Sequence, residues 1–269
     1  MSSAPVAALE REGAALGLCK DREGDRKAII VINLCDLYAM RTIGGKRGGQ
    51  VSNWAKRLSE RFRVAKAAYR TDLSSPENRR KAIAYERWFD HGFLRGPWTN
   101  MYQIAPGVWR SNHPTAARFE RLAARGIRTI ITLRGRGKAP WALLEREACA
   151  RLGITLESVS LQSRKAPNRV ELQALIALFR SVEKPFVMHC KSGADRAGLA
   201  SAIYLIVIMG EPVSSARRML SLRYAHLKWS KTGVLDMLLD DFAAAGGDFE
   251  EWLAVTYDKD DLQRRFDAR

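Results

Sequence analysis

Cysteine and histidine are scarce in this chain, with four of each in 269 residues. The cysteines, Cys19, Cys35, Cys149 and Cys190, have neither the density of a disulfide scaffold nor the paired spacing of a zinc site. The histidines are not spaced to complete one, so neither a metal nor a cofactor is expected. Long apolar runs are missing too. None approaches the roughly 18–20 residues a membrane-spanning helix needs. The N-terminus, Met1-Ser2-Ser3-Ala4-Pro5, lacks the charged-then-apolar order of a signal peptide. There is no internal repeat and no low-complexity tract.

Negative charge is also in short supply. Lys and Arg number 45 against 29 Asp and Glu, a net charge of +16 with a pI near 10.1. Residues 1–98 hold 19 of the basic residues and 11 of the acidic ones, half of the net charge in little more than a third of the chain. Such a field draws in acidic substrates, an anionic membrane surface or nucleic acid, and weakens with salt. No basic run is interleaved with aromatics in the manner of a nucleic-acid motif, which argues against that last partner.

The chemistry concentrates in Val187-Met188-His189-Cys190-Lys191-Ser192-Gly193-Ala194-Asp195-Arg196-Ala197-Gly198. Lys184 to Met188 reads as a buried strand and Leu199 to Met209 as a buried helix. A cysteine therefore ends a strand, a tight loop follows, and an arginine opens a helix. Loop N–H groups and the positive end of the helix dipole converge on one anion site, and the same field favours a thiolate. Arg196 supplies a planar fork for two phosphate oxygens. A buried structural cysteine is the plainer reading of a strand-end thiol. The arginine, the glycines and the helix beyond them favour the reactive one.

This run resembles the His-Cys-(five residues)-Arg loop of the cysteine-dependent phosphatases, the protein tyrosine and dual-specificity superfamily. It also resembles a rhodanese-like sulfur carrier, but His189, Gly193 and Gly198 fit the phosphatases better. The resemblance covers roughly Trp98 to Gly246. It implies a metal-independent phosphoric monoester hydrolase that works through a phosphocysteine. Cys190 would be the nucleophile, Arg196 the phosphate clamp, and Lys191, Ser192, Gly193, Ala194 and Asp195 the cradle, with His189 and Gly198 in support. Lys191 directly after the cysteine also occurs in phosphoinositide and phosphatidylglycerophosphate branches. The substrate classes implied are phosphoproteins, acidic phospholipids and inositol phosphates.

Two departures stand out. The loop in which dual-specificity enzymes carry their acid, here Ser160 to Asn168, contains no Asp or Glu. Asp195 is the natural substitute, since myotubularin-like phosphatases carry an aspartate directly before the loop arginine; Asp72 or Asp90 reaching in from afar is the other route. As a plain helix N-terminal acid, Asp195 would need no catalytic role. Ala197 stands where most relatives place Ser or Thr, which predicts slower intermediate hydrolysis. Together these departures raise a rival: a phosphate-binding pseudophosphatase acting as an adaptor.

Along the chain, residues 1–39 read as weakly ordered apart from the apolar patch Ala28–Leu34. Arg41–Gly49 reads as a chain start or a basic linker. Val51–Tyr69 and Pro76–Phe93 show helical spacing with basic residues between the apolar ones. They lie on an anionic membrane or, more simply, pack on the domain with their charges solvated. Strand patterns at Val108–Ser111, Ile127–Leu133 and Ile154–Leu161 alternate with helical ones at Pro114–Arg125, Trp141–Leu152 and Val170–Val182. This predicts an α/β fold with a mainly parallel sheet of about four to five strands and the ligand at the strands' carboxyl ends. Helices are expected at Pro212–Leu222 and Leu235–Ala245. The expected organisation is a basic, partly flexible helical extension (1–97), a catalytic domain (98–246) and a C-terminal helix (247–269). A reactive thiol suits the cytoplasm, with peripheral contact at the inner membrane face.

Overall fold

Strand β-branching and helix periodicity assemble into a sheet whose middle strand ends in Cys190. The computed structural model describes residues 53–269; the readings placed on residues 1–52 lie outside them. Helix α1, Asn53–Ala68, belongs to a unit that ends at Arg70, and a second unit runs from Thr71 to Arg269.

The second unit opens with α2, Pro76–Ala84, capped by Ser75 Oγ, which accepts from the Asn78 N–H at 3.1 Å, with Pro76 in the first turn. The helix expected over 76–93 does not run through. It widens into a π turn at Tyr85–Phe89, turns left-handed at His91, and resumes as a 3-10 turn at Gly92–Arg95. Buried ion pairs explain the break. Asp90 takes Arg95 Nη1 at 2.8 Å and both terminal nitrogens of Arg134 at 2.7 and 2.9 Å, while Arg95 Nη2 also donates to Glu86 at 2.6 Å. These side chains tie the segment to Arg134, and the compact unit begins at Thr71 rather than near 98.

The remaining elements alternate as the sequence implies. In order they are β1 (Tyr102–Ala105), β2 (Val108–Asn112), α3 (Ala116–Ala124), β3 (Thr129–Thr132), α4 (Pro140–Leu152), β4 (Thr155–Ser158), α5 (Arg169–Ser181), β5 (Phe186–Cys190) and α6 (Asp195–Val207). The sheet order is β1-β2-β5-β3-β4, with every pair parallel except the β1–β2 edge hairpin. Val108, Ile130, Ile131, Phe186, Val187 and Met188 are wholly buried, as expected of a sheet covered on both faces. α3 and α4 cover one face over Phe119, Leu122, Ile127 and Cys149, and α5 and α6 cover the other. Ala197 to Leu205 of α6 are buried all round, so this helix has no polar stripe.

Beyond α6 the helix expected at Pro212–Leu222 shrinks to α7, Val213–Ala216, and two 3-10 turns. Where the helical run stops, the Met219 carbonyl accepts from Arg110 Nη1 at 2.7 Å. α8, Val234–Ala245, follows. The single terminal helix expected is two, α9 (Phe249–Val255) and α10 (Lys259–Asp267), capped by Asp248 and Asp258. Phe249, Trp252, Leu253 and Leu262 belong to the main core, so residues 247–269 complete the unit rather than append to it.

Candidate active site

The loop is built from β5 outward. Parallel pairing with β2 and β3 leaves Cys190 at the carboxyl end of the central strand, and α6 begins five residues later with Asp195. The Gly193 N–H donates to Cys190 Sγ at 3.2 Å, and the Ala194 N–H to Ser192 Oγ at 3.4 Å. Gly193 has φ +75°, and a Cβ there would stand 2.7 Å from the backbone nitrogen of Asn112, so both conformation and space demand glycine. At Gly198 a Cβ would meet the Met219 carbonyl at 2.7 Å, which lets α6 pack close to the segment beyond it. Arg196, half-buried in the first turn of α6, donates through Nη1 to the Leu133 carbonyl at 3.4 Å. The Cys190 thiol, the Gly193 amide and the Arg196 guanidinium thus share one helix N-terminus.

Buried side chains from distant parts of the chain hold this loop. Arg110 on β2 is wholly buried; its Nη2 donates to the carbonyls of Gly193 at 2.6 Å and Ala194 at 3.2 Å, its Nη1 to that of Met219 at 2.7 Å, and it stacks 3.8 Å from the Tyr224 ring. Burial pulls its pKa down to about 10, so it stays charged at neutral pH. Asn100 Nδ2 donates to the carbonyls of Ser192 and Tyr224, each at 3.0 Å. Lys191 Nζ lies 3.1 Å from His91 Nδ1 and 3.8 Å from Asp90.

Beneath the loop, His189 Nε2 approaches Glu145 Oε1 to 2.6 Å, both fully buried. His113 Nδ1 lies 3.9 Å from the same oxygen, and burial, with Arg134 and His189 nearby, pushes its pKa well below the usual imidazole value. His113, Glu145 and His189 could in principle ligate a cation, a grouping the sequence spacing does not reveal. Two ligands on one tetrahedral ion, each about 2 Å from it, sit more than 3 Å apart. At 2.6 Å the Glu145–His189 pair leaves no such space, and the arginines beside it oppose a further cation.

The third carboxylate system is Asp195. Its Oδ1 lies 2.8 Å from His226 Nδ1, and His226 Nε2 lies 2.7 Å from Asp236 Oδ2. Burial alone would lower the His226 pKa, but the hydrogen bonds to Asp195 and Asp236 outweigh it and raise the value to about 9. His226 is therefore an imidazolium donating to both carboxylates at neutral pH. Burial would raise the Asp90 pKa, yet Arg134 and Arg95 hold it below the usual carboxylate range. Asp72 is an exposed local acceptor for Ser74 and Asn78.

The structure thus gathers every residue the sequence singled out for the loop: His189, Cys190, Lys191, Ser192, Gly193, Ala194, Asp195, Arg196 and Gly198. Arg164 and Lys165 are exposed on a loop that Gln263 and Tyr257 tie to the C-terminal helices. Arg110, Asn100 and Glu145 escape sequence reasoning. Only Arg110 left a signal there, a charged residue inside the strand Val108–Asn112. His226 touches the candidate acid.

Against this geometry, residues 105–211 match a family described as "Polymorphic toxin system, DSP-PTPase phosphatase". The dual specificity protein phosphatase TpbA of Pseudomonas aeruginosa is 29% identical over 120 residues, which are 42% of this chain and 50% of the relative. The same protein from a second strain of that organism is 28% identical over the same shares. The chain therefore spans about half the length of the curated relatives it matches. The crystal structure of P. aeruginosa TpbA is similar with a TM-score of 0.43 at 19% identity, covering 63% of this chain and 91% of that one.

Proposed function

We propose that this chain, whose residues 105–211 match a dual-specificity phosphatase family, hydrolyses phosphate monoesters through a phosphocysteine. One observation carries the reading: Cys190 Sγ, the Gly193 amide and Arg196 share a single loop braced by a wholly buried arginine. A strand-end cysteine kept only for packing needs none of that bracing.

In the first step Cys190 Sγ attacks phosphorus, an S–P bond forms, and the P–O bond to the leaving group breaks. Arg196 and the loop amides take up the charge on the non-bridging oxygens, which stabilises the transition state more than the ground state. The departing oxygen needs a proton. Both carboxylate oxygens of Asp90 are taken by Arg134 and Arg95, and Asp72 is engaged with its own turn. Asp195 stands on the phosphate loop with a quarter of its side chain exposed, so we assign it the proton. Oδ1 is occupied by His226, and Oδ2 is left to carry it. Water then attacks phosphorus, Asp195 receives the water's proton, the S–P bond breaks, and phosphate departs. Ala197 offers no hydroxyl to the leaving sulfur, so this second step is the slower.

The substrate class that follows is a phosphate monoester on protein or on an anionic lipid or inositol. The test is metal-free turnover of p-nitrophenyl phosphate by wild type, Cys190→Ser and Arg196→Lys. Turnover in wild type, abolished in Cys190→Ser and severely reduced in Arg196→Lys, supports the assignment. Vanadate binding without turnover in wild type would replace it with the adaptor reading.

A further inference from the structure

Two stretches of chain that brace the phosphate loop also expose large apolar side chains. In the first, Phe93, Leu94 and Trp98 are each at least 40% exposed. In the second, Leu222 and Trp229 are 64% and 71% exposed, with Leu227 at 40%. Both are joined to the loop by named bonds. Asn100, two residues after Trp98, spans the Ser192 and Tyr224 carbonyls, so one side chain staples the first stretch, the loop and the second together. His226, adjacent to Leu227, reaches Asp195. The apolar side chains are therefore part of the loop's own surroundings.

Such side chains are costly to leave in water, and clusters of them mark contact surfaces. The charge beside them selects the partner. From Arg217 to Lys231 there is no Asp or Glu, and Arg223, Lys228 and Lys231 are exposed among Leu222, Leu227 and Trp229. Protein interface cores are depleted in lysine, whereas lysine beside tryptophan and leucine is the composition of a membrane-surface element. Tryptophan settles at the headgroup level, and each basic side chain near an anionic leaflet adds attraction.

We propose that the surface formed by Phe93, Leu94, Trp98, Leu222, Leu227 and Trp229 docks on an anionic phospholipid bilayer and presents the Cys190 loop to phosphate held at headgroup depth. Buried to the 5–10 Å typical of interfacial elements, these side chains bring Asn100, and with it Ser192, to the plane where a headgroup phosphomonoester lies. Docking does not depend on chemistry at Cys190. Only the further statement, that the substrate phosphate is borne by the bilayer, rests on the phosphatase reading. The basic N-terminal segment is a second source of attraction, and the test is built to separate the two.

The experiment is cosedimentation of the full chain with vesicles of phosphatidylcholine alone and of phosphatidylcholine mixed with phosphatidylglycerol. It compares wild type, Cys190→Ser, a triple variant Leu222→Ser/Leu227→Ser/Trp229→Ser and the remote exposed-site control Val170→Ser, with circular dichroism to verify folding. Wild type, Cys190→Ser and Val170→Ser should bind the anionic vesicles selectively, and the folded triple variant should lose at least about tenfold in partitioning. Because the triple variant removes no charge, undiminished binding by it would assign the attraction to the N-terminal segment and overturn the proposal. Absence of binding by wild type would also overturn it, even if p-nitrophenyl phosphate is turned over. A vesicle-free dimer that the triple variant breaks would overturn it in favour of a second copy of the chain. Binding by both wild type and Cys190→Ser without any turnover would uphold docking while refuting the phosphatase reading. Two charge-removing variants, Lys228→Gln and Lys231→Gln, should each weaken binding several-fold, and no change in either would contradict the charge argument.

Discussion

Asp195 on the phosphate loop and His226, thirty-one residues further on, are joined at 2.8 Å between Oδ1 and Nδ1, and Asp236 holds the far side of the same ring at 2.7 Å. An imidazolium between two carboxylates fixes the direction of Asp195 and anchors the segment around Tyr224 to the loop.

The arrangement makes stability depend on pH with a definite sign. The folded-state pKa of His226 is raised to about 9, above the ordinary histidine value. Its contribution is therefore complete below about pH 6.5 and is lost as pH rises through 9, amounting to at most about 3 kcal/mol. Urea unfolding of wild type between pH 6 and 10 should show this decline, and His226→Gln should flatten it. An equal decline in both would mean that another group carries the dependence.

Asp195→Asn separates substrates by leaving group. p-Nitrophenolate departs without a proton, so its kcat/KM, which reports the first step, should fall less than about tenfold, while that of alkyl phosphates should fall about a hundredfold or more. Steady-state kinetics on both esters measures the ratio. Parallel losses would remove Asp195 from the proton-transfer role.

The support beneath the loop can be tested apart from the chemistry. Glu145→Ala leaves His189 buried without its partner and should destabilise the fold by about 3 kcal/mol or more, whereas Glu145→Gln should cost less. Denaturant midpoints decide. Equal, small losses in both would show that the pair contributes little.

Gly193→Ala should keep the fold and lose the loop. With φ at +75° and the Asn112 nitrogen 2.7 Å from the new methyl group, the Gly193 amide must turn away from Cys190. Loss of one aligned donor predicts about a hundredfold or more in kcat/KM, with circular dichroism unchanged. A fully active variant would mean that this amide does not face the phosphate.

The sequence made Cys190, Arg196 and the glycines between and after them legible because the loop is local: strand, turn and helix are written in twelve consecutive residues. Alternating strand and helix patterns likewise foretold a parallel sheet with Cys190 at its carboxyl edge. What stayed hidden was long-range. Arg110 meets Gly193 across 83 residues and Asn100 meets Ser192 across 92, and no periodicity encodes such a meeting. The same reason broke the expected helices. Pro76–Phe93 yields at Asp90, whose partner Arg134 is 44 residues away, and Pro212–Leu222 yields where Arg110 takes the Met219 carbonyl. Two capping aspartates, Asp248 and Asp258, were local signals of the split terminal helix.

The central claim is a covalent phosphate on Cys190. Wild type mixed with p-nitrophenyl phosphate, quenched in acid during turnover and digested, should yield the peptide containing Cys190 heavier by one phosphoryl group. The signal should be prominent because Ala197 leaves the second step slow, and it should be absent in Cys190→Ser. Turnover with no adduct on that peptide, or with the phosphoryl group on another residue, would contradict the account.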